Sequence, residues 1–228
     1  LQYNRPEIAS LVKALAAFYR LSLGKGEDIV PIRNEIDLVR SYLTIQNMRF
    51  DDCVVLEVDV AEELLDIRMP KIILQPLVEN AILHGILESD RETGIIRVTG
   101  CRADGRIVLS IADDGRGMSE AVVRRLVPHP AELPGSLLRG SPVVPFTIRE
   151  EKEALLGTEG ETLLHGANDQ SLPGDTPLHG AAPLHGDTTG YGVRNIDERL
   201  KILYGASFGL HIVSCPGRGT TVHVVLPG

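Results

Sequence analysis

At 228 residues, with a hydrophobic fraction of 43% and a net charge of −8, the chain can bury one sizeable core and carry an appendage. The negative balance excludes nucleic acid or an anionic membrane as a general partner, although local basic groups could still meet a nucleotide. Three scattered cysteines (Cys53, Cys101 and Cys215) make neither a disulfide framework nor a metal-type pair, which points to a reducing compartment. No apolar run approaches the ~18 residues that span a bilayer, and no secretory signal opens the chain. The expected location is therefore cytoplasmic, with no membrane contact by this stretch. Beginning at Leu1 without Met, the sequence reads as a piece of a longer protein.

In chain order, a helix is expected from Arg5-Pro6-Glu7, where a first-turn proline forfeits an amide that has no helical partner. Ile8, Leu11, Val12, Leu15, Phe18 and Tyr19 recur at helical spacing, and Gly24-Lys25-Gly26 ends the run. A second amphipathic helix carries Ile32, Ile36, Val39, Leu43 and Phe50. Val54, Leu56, Val58 and Val60 then alternate with Glu57 and Asp59, the pattern of a half-buried strand. The stretch Leu74-Gln75-Pro76-Leu77-Val78-Glu79-Asn80-Ala81-Ile82-Leu83-His84-Gly85 reads as a helix with Ile73, Leu77 and Ala81 on its packing side. Asn80 and His84, four residues apart, emerge together from another side. Pro76 must either begin this helix or kink it.

Residues 94–101 and 106–112 form a hairpin signal around Ala103-Asp104-Gly105, and Asp113 sits where the second strand runs out. A helix with Val193, Ile196, Leu200 and Leu203 inward follows Gly190-Tyr191-Gly192. Residues 208–214 and 221–226 make a last strand pair. The order fits a two-layer α/β (α+β) sandwich, a mixed β-sheet with helices on one face. Residues 128–189 break the pattern with eight Pro, eight Gly and three copies of Leu-His-Gly beginning at 164, 178 and 184. Only a capping-box pattern at 147–150, ahead of 151–156, reads as helix there. Loops this long are functional lids or irregular segments. His165, His179 and His185, near Asp175 and Asp187, have looser spacing than zinc motifs use.

Four motifs in fixed order carry the chemistry: the Asn80 helix, Asp113-Asp114-Gly115-Arg116-Gly117, Gly190-Tyr191-Gly192-Val193-Arg194-Asn195, and Gly217-Arg218-Gly219-Thr220. This order resembles the ATP-binding domain shared by histidine kinases, gyrase, Hsp90 and MutL. The wording Leu-Gln-Pro-Leu-Val-Glu-Asn-Ala and Gly-Val-Arg-Asn-Ile-Asp-Glu-Arg-Leu is similar, more narrowly, to LytS/YesM-type bacterial sensor histidine kinases. The resemblance covers roughly residues 1–127 and 188–228. It implies a Bergerat-type ATP-binding fold, with residues 1–26 as the second part of the dimerisation region and 27–228 as the catalytic domain. A long lid insertion would occupy about 128–189.

By the same resemblance, Asp113 contacts adenine and Thr220 assists through its hydroxyl. A carboxylate there accepts from the adenine amino group, whereas the guanine carbonyl would face it as a second acceptor. Gly115 and Gly117 are expected to let the backbone pass close to the purine. Gly190 and Gly192 would free helix-start amides for phosphate, with Arg194, and alternatively Arg199, as a cationic neighbour. Asn80 would offer one oxygen to Mg²⁺, the nucleotide bringing most other ligands. His84 either steadies a phosphate or packs; Glu79, about 100° around the helix from Asn80, is a candidate to move a proton or to support a residue that holds the metal.

In the ATP-hydrolysing relatives, a Glu one turn before the magnesium Asn activates water. Pro76 stands there instead, so transfer to a protein nucleophile is favoured over hydrolysis. None of the seven histidines lies in the family's Asn-Pro-His-Phe setting, so the acceptor is expected outside this sequence, in a full-length homodimer that passes phosphate to a response regulator. The alternatives are an ATP-hydrolysing or a non-catalytic nucleotide-sensing module of the same fold.

Overall fold

The computed structural model describes residues 5–24, 26–50, 52–89, 91, 93–140 and 189–228. Helix α1 (Arg5–Leu23) is followed by a short strand β1 (Ile29–Pro31), α2 (Ile32–Arg49), β2 (Val54–Val60) and β3 (Arg68–Pro70). The Asn80 segment is α3 (Leu74–Asn80), which continues as a π-helical turn over Ala81–Ile86. Strands β4 (Gly94–Ala103) and β5 (Arg106–Asp113), helices α4 (Glu120–Leu126), α5 (Gly135–Gly140) and α6 (Thr189–Tyr204), and strands β6 (Gly209–Ser214) and β7 (Thr220–Pro227) complete the described chain. None of the described helices is long and apolar enough to cross a membrane.

The main sheet runs β2-β4-β5-β7-β6. Strand β2 pairs parallel to β4 and every other pair is antiparallel, so the sheet is mixed, as the sequence pattern implies. Strand alternation sends Ile96, Val98, Ile107, Leu109, Ile111, Leu210, Ile212, Val224 and Leu226 to one face. There they join α2, α3 and α6 through Ile36, Val39, Leu43, Leu74, Leu77, Val78, Ile196 and Leu200 in a single core. The segment expected as a lid begins differently: His129 and Ala131 lie against α6 and β6, through Lys201 Nζ to the His129 carbonyl and the Ala131 amide to the Leu210 carbonyl at 2.9 Å. The expected helix at 151–156, the Leu-His-Gly copies and His165, His179 and His185 lie outside the described residues.

Helix α1 packs along α2, with the Phe18 and Tyr42 ring centroids 6.1 Å apart. Ile8, Val12, Leu15, Tyr19 and Leu23 recur along its other side and remain exposed.

The start of α3 shows how the Asn80 helix is held. Glu35, on α2 and only 1% exposed, accepts hydrogen bonds from the amides of Ile72 (2.6 Å), Ile73 (2.7 Å) and Leu74 (2.9 Å). These amides precede the helix or open it, and have no partner within it. Pro76 falls in this first turn, where its missing N–H costs nothing, so it begins the helix rather than kinking it. Ile72 adopts a φ of 57°, a strained value for a β-branched residue, and the Glu35 clamp holds it there. Arg199 on α6 donates to the Lys71 carbonyl at 2.8 Å beside this clamp. The arginine therefore joins helices, and the expectation that it meets phosphate is replaced by a structural role.

Replacing Glu35 by Ala strands three amides at the base of α3, at a cost of about 3 kcal/mol. Glu35→Gln keeps one acceptor oxygen and should lose less. Urea unfolding midpoints that fall in the order parent, Glu35→Gln, Glu35→Ala check the clamp.

Candidate nucleotide site

The edge between the sheet and α3 is cut by a cavity with ≈ 580 Å³ of free space, part of it open solvent. Leu77, Asn80, Ala81, His84 and Gly85 form one wall; Ile111, Asp113, Ile212, Thr220 and Val222 form another. Gly117, Met118, Leu126 and Val193 complete it. The cavity abuts a wider, more polar outer cleft lined by His84, Arg116, Gly117, Met118, Ser119, Arg125, Tyr191 and Arg194. An apolar slot thus leads into a mouth carrying three arginines.

Asp113 ends β5 at the floor of the inner cavity and is 4% exposed. Its Oδ1 accepts from the Gly115 amide at 3.0 Å, and its cross-strand neighbour is Thr220. Burial pushes this carboxyl up to about 7, against the opposing pull of the Gly115 and Thr220 amides and with help from the nearby Asp114 charge. Asp114 faces elsewhere. It takes Arg91 Nη1 at 2.6 Å and the Ile95 amide at 2.7 Å, pinning the loop to β4. The double-Asp motif therefore divides its labour: one carboxylate faces the cavity, the other holds the loop.

The glycines are required for a reason the sequence did not give. A Cβ on Gly115 would stand 2.2 Å from the Gly85 carbonyl carbon. At Gly117 (φ +66°) it would meet the Cys215 oxygen at 2.0 Å, and at Gly219 (φ +82°) the Asp113 oxygen at 1.9 Å. The close approach at these positions is chain against chain. Gly117 lines the cavity as well, whereas Gly115 lines neither space.

His84 Nδ1 lies 2.8 Å from Glu88 Oε1, and the other Glu88 oxygen takes Arg116 at 2.8 Å. This chain of groups spans the border between cavity and outer cleft. Glu79 lines neither space; its carboxylate accepts from Gln75 Nε2 at 3.1 Å. Gly190 and Gly192 lie inside the first turn of α6, which begins at Thr189, rather than ahead of it. Gly192 faces open space. Arg194 lines the outer cleft while donating to the Arg125 carbonyl at 2.9 Å, so it also ties α6 to α4. Sequence reasoning missed Arg116, whose place inside the Asp-x-Gly-x-Gly motif was its only signal, and Ser214.

Because the folded chain holds the Asp113 proton more tightly than the unfolded chain, this group's contribution to stability is full below the ordinary carboxylate range and is lost as pH rises through about 7. Asp113→Asn cannot ionise and should escape that loss. Its urea midpoint should gain on the parent's between mildly acidic and mildly alkaline pH; midpoints that move in parallel would show an ordinary carboxylate.

The chain is similar to known proteins over most of its length. The family model described as "Histidine kinase" matches residues 1–54, and that described as "Histidine kinase-, DNA gyrase B-, and HSP90-like ATPase" matches residues 65–228. The chain is 35% identical over 120 residues to the sensor histidine kinase YesM of Bacillus subtilis, covering 53% of this chain and 21% of that protein. It is 28% identical over 173 residues to the sensor protein LytS of Oceanobacillus iheyensis, covering 75% and 29% respectively. The chain thus spans less than a third of these relatives' length. Among solved structures, the catalytic domain of the histidine kinase ThkA aligns with a TM-score of 0.48 at 13% identity, covering 87% of this chain and 93% of that one. With a match across most of its length, the chain belongs to the histidine kinase-, DNA gyrase B- and HSP90-like ATPase family.

Proposed function

We propose that this chain is the ATP-binding catalytic part of a sensor histidine kinase, which transfers the γ-phosphoryl group of ATP to a histidine on another segment for relay to a response-regulator aspartate. The observation that supports it best is the convergence of Asn80, His84, Asp113, Gly117 and Thr220 on one cavity. The ionised Asp113 carboxylate accepts from the adenine amino group, and the apolar walls from Leu77, Ile111 and Val222 take the ring. The triphosphate then runs into the outer cleft, where Arg116, Arg125 and Arg194 offset its charge. The first turn of α6 carries Gly190 and Gly192, and Tyr191 and Arg194 beside them line the same cleft.

In this reading Asn80 would hold magnesium. One neutral oxygen is a partial site, and among the described residues no group of three or more His, Cys, Asp or Glu could hold a metal. A single carboxamide oxygen would suit a cation that arrives with the nucleotide. When bound, it neutralises charge on the transferring group. Glu79, held by Gln75 outside both spaces, is given no part in the chemistry. Pro76, where hydrolysing relatives carry a water-activating Glu, leaves Asn80 and its neighbours to position the phosphates for an incoming histidine.

The full protein is proposed to be a cytoplasmic-facing, membrane-anchored homodimer, with residues 1–26 in its dimerisation region and a lid somewhere within 128–189. In this reading the exposed stripe of α1, from Ile8 to Leu23, meets the rest of that region.

Two experiments test the proposal. ATP should bind and GTP should not; affinity should rise as pH passes through about 7, since only the ionised Asp113 is a pure acceptor, and Asp113→Asn should lose the pH dependence along with most of the binding. Asn80→Ala should cut magnesium-dependent affinity by about tenfold and leave metal-free binding alone. In the second, radiolabelled ATP is given to the chain with and without a separate polypeptide bearing the acceptor helix. Label should appear on the added histidine and not on the chain itself. Steady phosphate release would indicate an ATPase, and binding without either product a nucleotide sensor.

A further inference from the structure

Ser214 lies at the end of β6, directly across from Thr220, which is in turn directly across from Asp113. The three form one row across the sheet, of which Asp113 and Thr220 line the cavity. The Ser214 hydroxyl is crowded with partners: it accepts from the Met118 amide at 2.8 Å, lies 3.0 Å from the Gly219 carbonyl oxygen and 2.9 Å from the Thr220 hydroxyl. A serine hydroxyl has one hydrogen to give and two lone pairs.

The Gly219 carbonyl can only accept, so a contact at 3.0 Å requires the Ser214 hydrogen. Giving that hydrogen to Thr220 instead would leave two oxygens facing each other unlinked, and the carbonyl with only the Cys215 amide, at 3.4 Å. With the hydrogen on Gly219, the remaining lone pair of Ser214 is free for Thr220, which must donate. Thr220 has then spent its own hydrogen on Ser214 and offers the cavity an acceptor alone.

We propose that Ser214 is a positioning residue that fixes Thr220 as a hydrogen-bond acceptor and thereby makes the inner cavity selective for a purine bearing an exocyclic amino group. Two neighbouring acceptors, the Asp113 carboxylate and the Thr220 hydroxyl, match the two hydrogens of an amino group, directly or through one water. A carbonyl in the same place would meet two acceptors and no donor. Without the Ser214 hydroxyl, the Thr220 hydroxyl is free to rotate and donate to that carbonyl. The inference rests on the proposed nucleotide reading and adds to it a residue outside the four motifs' contacts with the base.

The test compares ATP with ITP, which carries a carbonyl where ATP carries the amino group, by calorimetric titration of the whole chain at mildly alkaline pH. The parent should prefer ATP. Ser214→Ala should weaken both nucleotides, because the Met118 amide loses its partner, and should also lower the ATP-over-ITP preference about tenfold. Ser214→Thr, which keeps the hydroxyl, should restore the parent preference. In a Thr220→Val background, Ser214→Ala should leave the ratio unchanged, since no rotor remains to release.

Equal weakening of both nucleotides by Ser214→Ala, with the ratio intact, would reduce Ser214 to a loop support and overturn the inference alone. So would a Ser214→Thr variant whose ratio follows the alanine variant. A parent that binds neither nucleotide overturns the nucleotide reading and this inference with it.

Discussion

Backbone meeting backbone is the constraint on which the site depends. The loop after β5 crosses the π-helical turn at Gly85 and Gly115, the 215–219 loop at Gly117, and is itself crossed at Asp113 by Gly219. Each crossing is too close for a side chain. Packed this tightly, the loop has little freedom to drift, and the Asp113 side chain inherits its fixed direction. A buried carboxylate costs solvation, and a loosely held one would turn to water. The glycine crossings remove that escape, which leaves the acid buried with backbone amides as its donors.

A second constraint acts from the opposite wall. The helix bearing Asn80 is short, and its first amides are taken by a carboxylate from another helix. Glu35 therefore sets where α3 begins, and through it where Asn80 stands relative to Asp113. Arg199 locks Lys71, just before that helix, to α6. Both walls of the cavity are thus positioned by groups that never face it. Changes at Glu35 or Arg199 would reach the site through geometry and not through contact.

Much of this was legible in the sequence, for identifiable reasons. Strand alternation gave β2, β4, β5 and the β6–β7 pair, because half-buried strands must alternate. Asn80, Asp113 and Thr220 were legible because polar residues at element ends, in a fixed order, have few bland explanations. The partner of Glu35 was not, since periodicity places a carboxylate on a helix but does not say which distant amides it will meet. The strands β1 and β3, three residues each, are too short to show any period. The glycines were visible while their reason was not: a missing Cβ tells nothing of what passes through the space. Glu79 was drawn in by adjacency to Asn80, but one residue along a helix is a turn of about 100°, enough to face a different neighbour. Arg199 failed likewise, its helix face belonging to the Lys71 junction.

The wide turn at Ala81–Ile86 carries one residue more than an α-helical turn would need. It therefore works as a phase shifter: upstream of it the helix is set by Glu35, at its far end by the crossing at Gly85, and the surplus residue absorbs the mismatch between the two. Were it removed, the helix would regain regular winding, but the whole downstream half would be rotated by about 100° relative to Asn80. His84 and the carbonyl of Gly85, which receives the Arg116 amide at 2.9 Å, would then swing out of register together. An irregular helix at this point is what allows two independently anchored walls to close on one space.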